Sequence, residues 1–182
     1  MSKRVLPLVA LLVLAGAAGA SAQTCVNVPP ATSCTAAQTA RLVIPSLVSL
    51  DLGAGTFDLT APTPADLATT YVLEAGSPTI TVKANKAWTL SISSAAANFT
   101  YVGTEPGAKS RDDLYWKADA VGANLGAYTQ LTAAAIQVKA GIATNNDHPL
   151  IFFGTHYVNN FADPGNLPGT YTLPLTFTLA AP

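Results

Sequence analysis

Ten residues late in the chain, 170–179, limit its fold more than any other feature. Tyr171, Leu173, Leu175, Phe177 and Leu179 fall on one side of an extended segment, with Thr170, Thr172, Pro174, Thr176 and Thr178 on the other. Apolar residues at every second position describe a strand with one face on a core and one toward solvent. Pro174 has no N–H to give a ladder, so the strand lies at a sheet edge or is bulged there.

A second run, residues 79–93, places Ile80, Val82 and Ala84 before Asn85-Lys86, and Trp88, Leu90 and Ile92 after it. It reads either as a tight hairpin or as one strand bent near Asn85, since all six positions share one parity. Shorter runs occur at residues 41–52, interrupted by Pro45, and at 56–59, 70–73, 113–118, 135–140 and 150–158. Turn residues separate most of them and no long helical period is present. The expected fold is all-β: an immunoglobulin-like β-sandwich of about eight or nine strands, a single domain over residues 41–182. Long irregular stretches are expected at 94–111, 119–134 and 159–169, lengths that commonly belong to functional loops.

The beginning of the chain follows a different grammar. Met1-Ser2-Lys3-Arg4 is cationic, residues 5–15 are apolar, and small residues lead to Ala20-Ser21-Ala22. This order predicts a secretory signal peptide over residues 1–22, cut before Gln23, and a secreted or cell-surface protein. Pro7 and the Ala-x-Ala site argue against a retained anchor, so no membrane span is expected after cleavage. Residues 23–40 then form a polar arm rich in Ala and Thr. In an oxidising compartment its Cys25 and Cys34 are expected to form a disulfide, which the chain-entropy view values at roughly 2–3 kcal/mol. Their spacing fits neither a Cys-x-x-Cys redox pair nor a zinc site, and no His is near.

Charge narrows the partners. Without Lys3 and Arg4, seven basic residues face ten acidic ones, a net −3 with no basic run, which disfavours nucleic acid. Only 10% of residues are charged, so the surface must be largely Thr, Ser, Asn and Gln. Such a surface is easily desolvated, which suits self-association or packing against other envelope proteins.

No catalytic constellation emerges, and the chain is not expected to be an enzyme. There is no Gly-x-Ser-x-Gly elbow, and both cysteines are assigned to the disulfide. His148 and His156 lie roughly 26 Å apart if the residues between them are extended, too far to share a metal. Asp112-Asp113 is the only adjacent carboxylate pair. Neighbours on a strand point to opposite faces, so it reads as capping a strand entry beside Lys109 and Arg111. Asn145-Asn146-Asp147 and the pair Asp163 and Asn166 lack the spacing of a calcium loop, and no cofactor or metal is expected. Asn98-Phe99-Thr100 has the form of a glycosylation sequon.

Aromatic residues carry the remaining signal. Trp88, Trp116 and Phe177 share faces with aliphatics and are expected in the core. The run 150–158 is apolar on both faces, with Leu150, Phe152 and Val158 on one and Ile151, Phe153 and Tyr157 on the other. Such a strand needs cover on both sides. Either a long loop overlies it, or it presents a patch to a partner, with Ile151, Phe153, Tyr157, Tyr128 and Phe161 as the candidate interaction surface. Tyr115, Tyr128, Tyr157 and Phe161 would be the aromatics of a glycan platform.

The turn Pro168-Gly169-Thr170-Tyr171, the alternating strand that follows it, the leader and the overall size resemble bacterial secreted β-sandwich proteins of the fimbrial-subunit and spore-coat-U-like kind. The resemblance implies a non-catalytic structural protein of the bacterial cell surface, such as a pilus or filament subunit. It also implies assembly by lending an N-terminal strand to a neighbour's groove. In those proteins the disulfide typically links strands of the sandwich, whereas Cys25 and Cys34 precede them. A monomeric carbohydrate-binding or adhesin module is the alternative expectation.

Overall fold

A computed structural model describes residues 38–181. The signal peptide over 1–22 and the Cys25–Cys34 disulfide lie outside the described residues. The chain divides into two units, Met1–Ile44 and Pro45–Pro182. Of the first, residues 38–44 belong to no helix or strand and are exposed.

The second unit is an antiparallel β-sandwich. Its strands are β1 (Val48–Leu52), β2 (Tyr71–Leu73), β3 (Ile80–Ala84), β4 (Trp88–Ser93), β5 (Thr100–Val102) and β6 (Leu114–Ala118). They continue as β7 (Thr129–Gln130), β8 (Ile136–Gly141), β9 (Thr144–Asp147), β10 (Ile151–His156), β11 (Thr170–Thr172) and β12 (Thr176–Ala180). One short helix, α1 (Pro64–Thr69), joins β1 to β2. Thr63 caps it in a reciprocal box with Asp66, and Pro64 occupies its first position.

Two sheets, ordered β1-β3-β9 and β12-β4-β8, are halves of one bent layer. Opposite pairing runs Val82 to Asp147, Ala84 to Thr144, then Trp88 to Gly141 and Leu90 to Lys139, a near-constant register through the corner. Residues 79–93 are therefore one bent strand and not a hairpin. Asn85 supports the corner, its side chain donating to the Pro45 carbonyl and accepting the Leu47 N–H, both at 2.8 Å. The facing layer is ordered β2-β10-β6-β7, and β11 pairs β5 beside it.

The core lies between the layers. Ile80, Val82, Ala84, Trp88, Leu90 and Ile92 are all buried, as one parity along a bent strand requires, and they meet Leu114, Trp116, Ile151 and Phe153. Trp88 is 1% exposed, and its indole N–H donates to the Ile142 carbonyl at 2.9 Å where the second strand of the ribbon turns the same corner.

Twelve short strands among the described residues replace the expected eight or nine, in part because two runs break in the middle. The bend at residues 85–87 separates β3 from β4, and Pro174 separates β11 from β12. Strands β5 and β7 lie inside stretches read as irregular, and β9 has the sequence Thr-Asn-Asn-Asp, which carries no alternation. Residues 41–47 and 56–59, expected as strands, are not part of a sheet.

Candidate functional site

The candidate interaction surface must be corrected first. Ile151, Phe153, Tyr157 and Tyr128 are buried, at 0%, 1%, 8% and 8% exposure, and Phe161 alone is exposed. The cause is the position of β10, which is flanked by β2 and β6 and covered on both faces. Its inward face, Ile151 and Phe153, joins the core. On its other face Gly154 lies beneath the 119–134 loop: a Cβ there would come within 2.7 Å of a Leu125 methyl and 3.0 Å of a Leu73 methyl. Tyr128 completes this cover, its hydroxyl accepting the Gly122 N–H at 3.1 Å. The loop-covered reading of this strand is the one observed. With Tyr128 and Tyr157 buried, Tyr115 half-buried and Phe161 exposed, these four aromatics form no common glycan platform.

The titratable residues singled out in the sequence have partners within the fold. Asp112 and Asp113 sit in a 3-10 turn, Arg111–Asp113, at the entry to β6. Asp112 pairs with Arg111 at 2.9 Å, while Asp113 lies 3.7 Å from Lys109 and 3.2 Å from Nδ1 of His156. Pairing of β6 with β10 brings His156 to Asp113, a long-range neighbour invisible to local spacing. His148 faces the Thr81 hydroxyl and the Ile80 carbonyl, each at 3.3 Å. Of the calcium candidates, Asp147 pairs with Lys139 at 2.8 Å and Asp163 accepts the Gly165 N–H. Among the described residues no group of three or more His, Cys, Asp or Glu could hold a metal ion. Asn98 and Thr100 of the sequon are exposed.

A different feature carries the site. A groove of about 920 Å³ opens into the sandwich between residues 52–62 on one side and 165–177 on the other. Phe99, Leu114 and Phe153 lie along its floor, with Phe57, Leu175 and Phe177 among its walls. The inward residues of the late alternating run, Tyr171, Leu173, Leu175, Phe177 and Leu179, remain only half-buried, whereas their counterparts on β4 are sealed. Among the described strands β12 pairs only β4 and β11 pairs only β5, so each carries one unpaired edge. Pro174 lies between them, in the break expected of a residue that cannot donate to a ladder.

The walls are held by specific contacts. Phe57 packs on Phe153 with ring centroids 5.7 Å apart. Glu74, 5% exposed, accepts the Thr60 N–H at 2.7 Å and the Thr60 hydroxyl at 2.8 Å, pinning the 54–62 wall to the strand side. Glu74→Ala is expected to lower stability by about 2–3 kcal/mol, because both bonds are to a carboxylate. It should also speed exchange of the Thr60 amide. Denaturant melts and hydrogen exchange check both. On the opposite wall the Tyr171 hydroxyl donates to the carbonyls of Pro164 and Leu167, at 2.9 and 3.0 Å, and its ring lies 4.8 Å from that of Tyr101.

One end of the groove is polar. Lys109, 6% exposed, donates to the His156 carbonyl at 2.7 Å and lies 4.2 Å above the Tyr157 ring. Burial pulls its ammonium below the ordinary range, while Asp113 works the other way. Burial, then the Glu74 and Asp66 carboxylates, push the Tyr157 phenol up to about 12. Between pH 10 and 12 the unfolded chain therefore loses this proton and the folded chain keeps it, so stability falls as pH rises. Lys109 contributes with opposite sign, regaining stability as pH rises toward 10.5. Tyr157→Phe is expected to remove a loss of up to about 2–3 kcal/mol across that alkaline window, read as the difference between wild-type and variant melts.

The sequence pointed to the alternating strand that forms one wall. The groove itself depends on how residues 52–62 cross the sandwich, which no local pattern encodes. No family model, curated protein or solved structure matches the chain.

Proposed function

We propose that this chain is a non-catalytic structural subunit of a bacterial cell surface, exported by its leader, that forms filaments by completing its open sandwich with an extended segment of a second copy. The observation that carries this reading is the groove of about 920 Å³ beside the unpaired edges of β11 and β12. An extended segment laid there gains main-chain hydrogen bonds along an edge and buries alternate side chains against Phe153 and Phe177.

The chain also carries a segment suited to the role. Leu42, Val43 and Ile44 are 83%, 68% and 68% exposed, three consecutive apolar residues just before the sandwich. Groove and segment are different surfaces of one molecule, so their contact is head-to-tail and extends rather than closing on itself. A weakly charged exterior adds little repulsion between copies.

Electron microscopy and unheated gels of native material test the reading. Fibres, or a ladder of oligomers that collapses on heating, are the expected result. Monomer alone across a wide concentration range overturns it, and binding on a glycan array in that monomeric state would favour an adhesin module instead.

A further inference from the structure

We infer that Arg41 of the incoming copy pairs with Asp58 on the rim of the groove, and that this ion pair sets where along the groove the segment comes to rest. The inference rests on the self-assembly reading and adds to it the contact that fixes position.

An apolar groove alone holds an extended segment loosely. A slip of two residues returns the same face to the groove and exchanges one aliphatic side chain for another. Charge breaks that equivalence. Of the residues lining the groove only Asp58 and Lys109 are charged. Lys109 is 6% exposed and already has Asp113 at 3.7 Å, so that end repels an incoming cation. Asp58 is exposed and forms no salt bridge among the described residues. Its neighbours Phe57 and Leu59 pack against the core, which leaves Asp58 on the outer rim of the 52–62 wall.

The incoming segment carries the complement. Residues 23–44 contain a single charged side chain, Arg41, which is exposed and likewise forms no salt bridge among the described residues. With Leu42 and Ile44 directed into the groove of a second copy, Arg41 has the opposite parity and emerges at the rim. Its aliphatic stem can lie along the apolar lining while the guanidinium reaches a carboxylate, which it grips through two parallel N–H donors. A slip of two residues moves Arg41 about 7 Å along the rim and separates the pair. The charge around Asp58 favours the same docking. Residues 42–82 contain Asp51, Asp58, Asp66 and Glu74 and no Lys or Arg, whereas from residue 83 onward six basic residues balance six acidic ones. The excess negative charge therefore resides in the part of the chain that builds this wall, and Glu74 is tied to the wall through Thr60.

Charge reversal in the full chain, followed by sedimentation velocity, tests the pair. Arg41→Glu and Asp58→Arg are each expected to associate at least about tenfold more weakly than wild type, because either one sets like charges against each other. Both positions are exposed, so neither change should unfold the chain. An equimolar mixture of the two variants should recover association close to that of wild type, since the arm of each then meets a groove of opposite charge in the other. Arg41→Glu combined with Asp58→Arg in one chain should recover it too, whereas Arg41→Glu combined with Asp66→Arg should stay weak. Either single reversal without effect, a mixture no stronger than its parts, or equal recovery by the Asp66 change would overturn the pair and leave the assembly reading standing. Wild type that stays monomeric removes both.

Discussion

A chain carrying Leu42→Asp and Ile44→Asp is expected to associate at least about a hundredfold more weakly than wild type while folding as well. Burying an aliphatic side chain of this size is worth about 1.5–3 kcal/mol. Losing two removes about 3 kcal/mol or more, a factor of 100 or greater in the dissociation constant. The carboxylates add a desolvation penalty of their own. Both side chains are exposed in the single chain, at 83% and 68%, so thermal stability of the monomer should move by no more than about 0.5 kcal/mol. Sedimentation velocity measures the first effect and a melt of the dilute protein the second. Unchanged association would show that these residues do not enter the groove.

Trp88→Ala is expected to lower stability by about 3–5 kcal/mol, enough to unfold much of the protein at moderate temperature. Its ring is 1% exposed at the corner of the bent layer, and its N–H satisfies the Ile142 carbonyl. Truncation leaves a large void and an unpaired carbonyl together. The site is also intolerant of addition: a Cβ at Gly141 would come within 2.5 Å of the indole ring, a rigid neighbour that has little room to yield. Gly141→Ala should therefore also destabilise, by about 1–3 kcal/mol. Urea denaturation of both variants, followed by tryptophan fluorescence, gives the values.

What the sequence made legible follows from the range of the interaction that records it. Alternation over 79–93 and 170–179 identified all six buried residues of the bent strand and the half-buried wall strand, because burial of one sheet face writes itself into neighbouring positions. The capping box Thr63-Pro64-Ala65-Asp66 also announces α1, a local signal readable in advance though no helix was expected there. The β9 strand gave no sign of itself, since its partner β3 supplies the apolar face and its own Asn145 and Asn146 stay exposed. The double-faced run 150–158 left two outcomes open. Its cover, the segment bearing Leu125 and Tyr128, is distant in sequence and itself weakly patterned. For the same reason the groove was only half visible: its strand wall alternates, while the 52–62 wall is placed by Glu74 and Phe57, contacts that reach across the chain.

The near-constant register through the corner, from Ile92 opposite Ile136 to Val82 opposite Asp147 with one small shift in each half, has a consequence for how this protein comes apart. No seam separates the two halves of the layer, since both strands of the ribbon cross it and Trp88 is clamped at the bend. Neither half can melt first and leave the other as a persistent fragment. Heat or denaturant should release it in one all-or-none step, with the amides of Val82 and Leu90 becoming labile together.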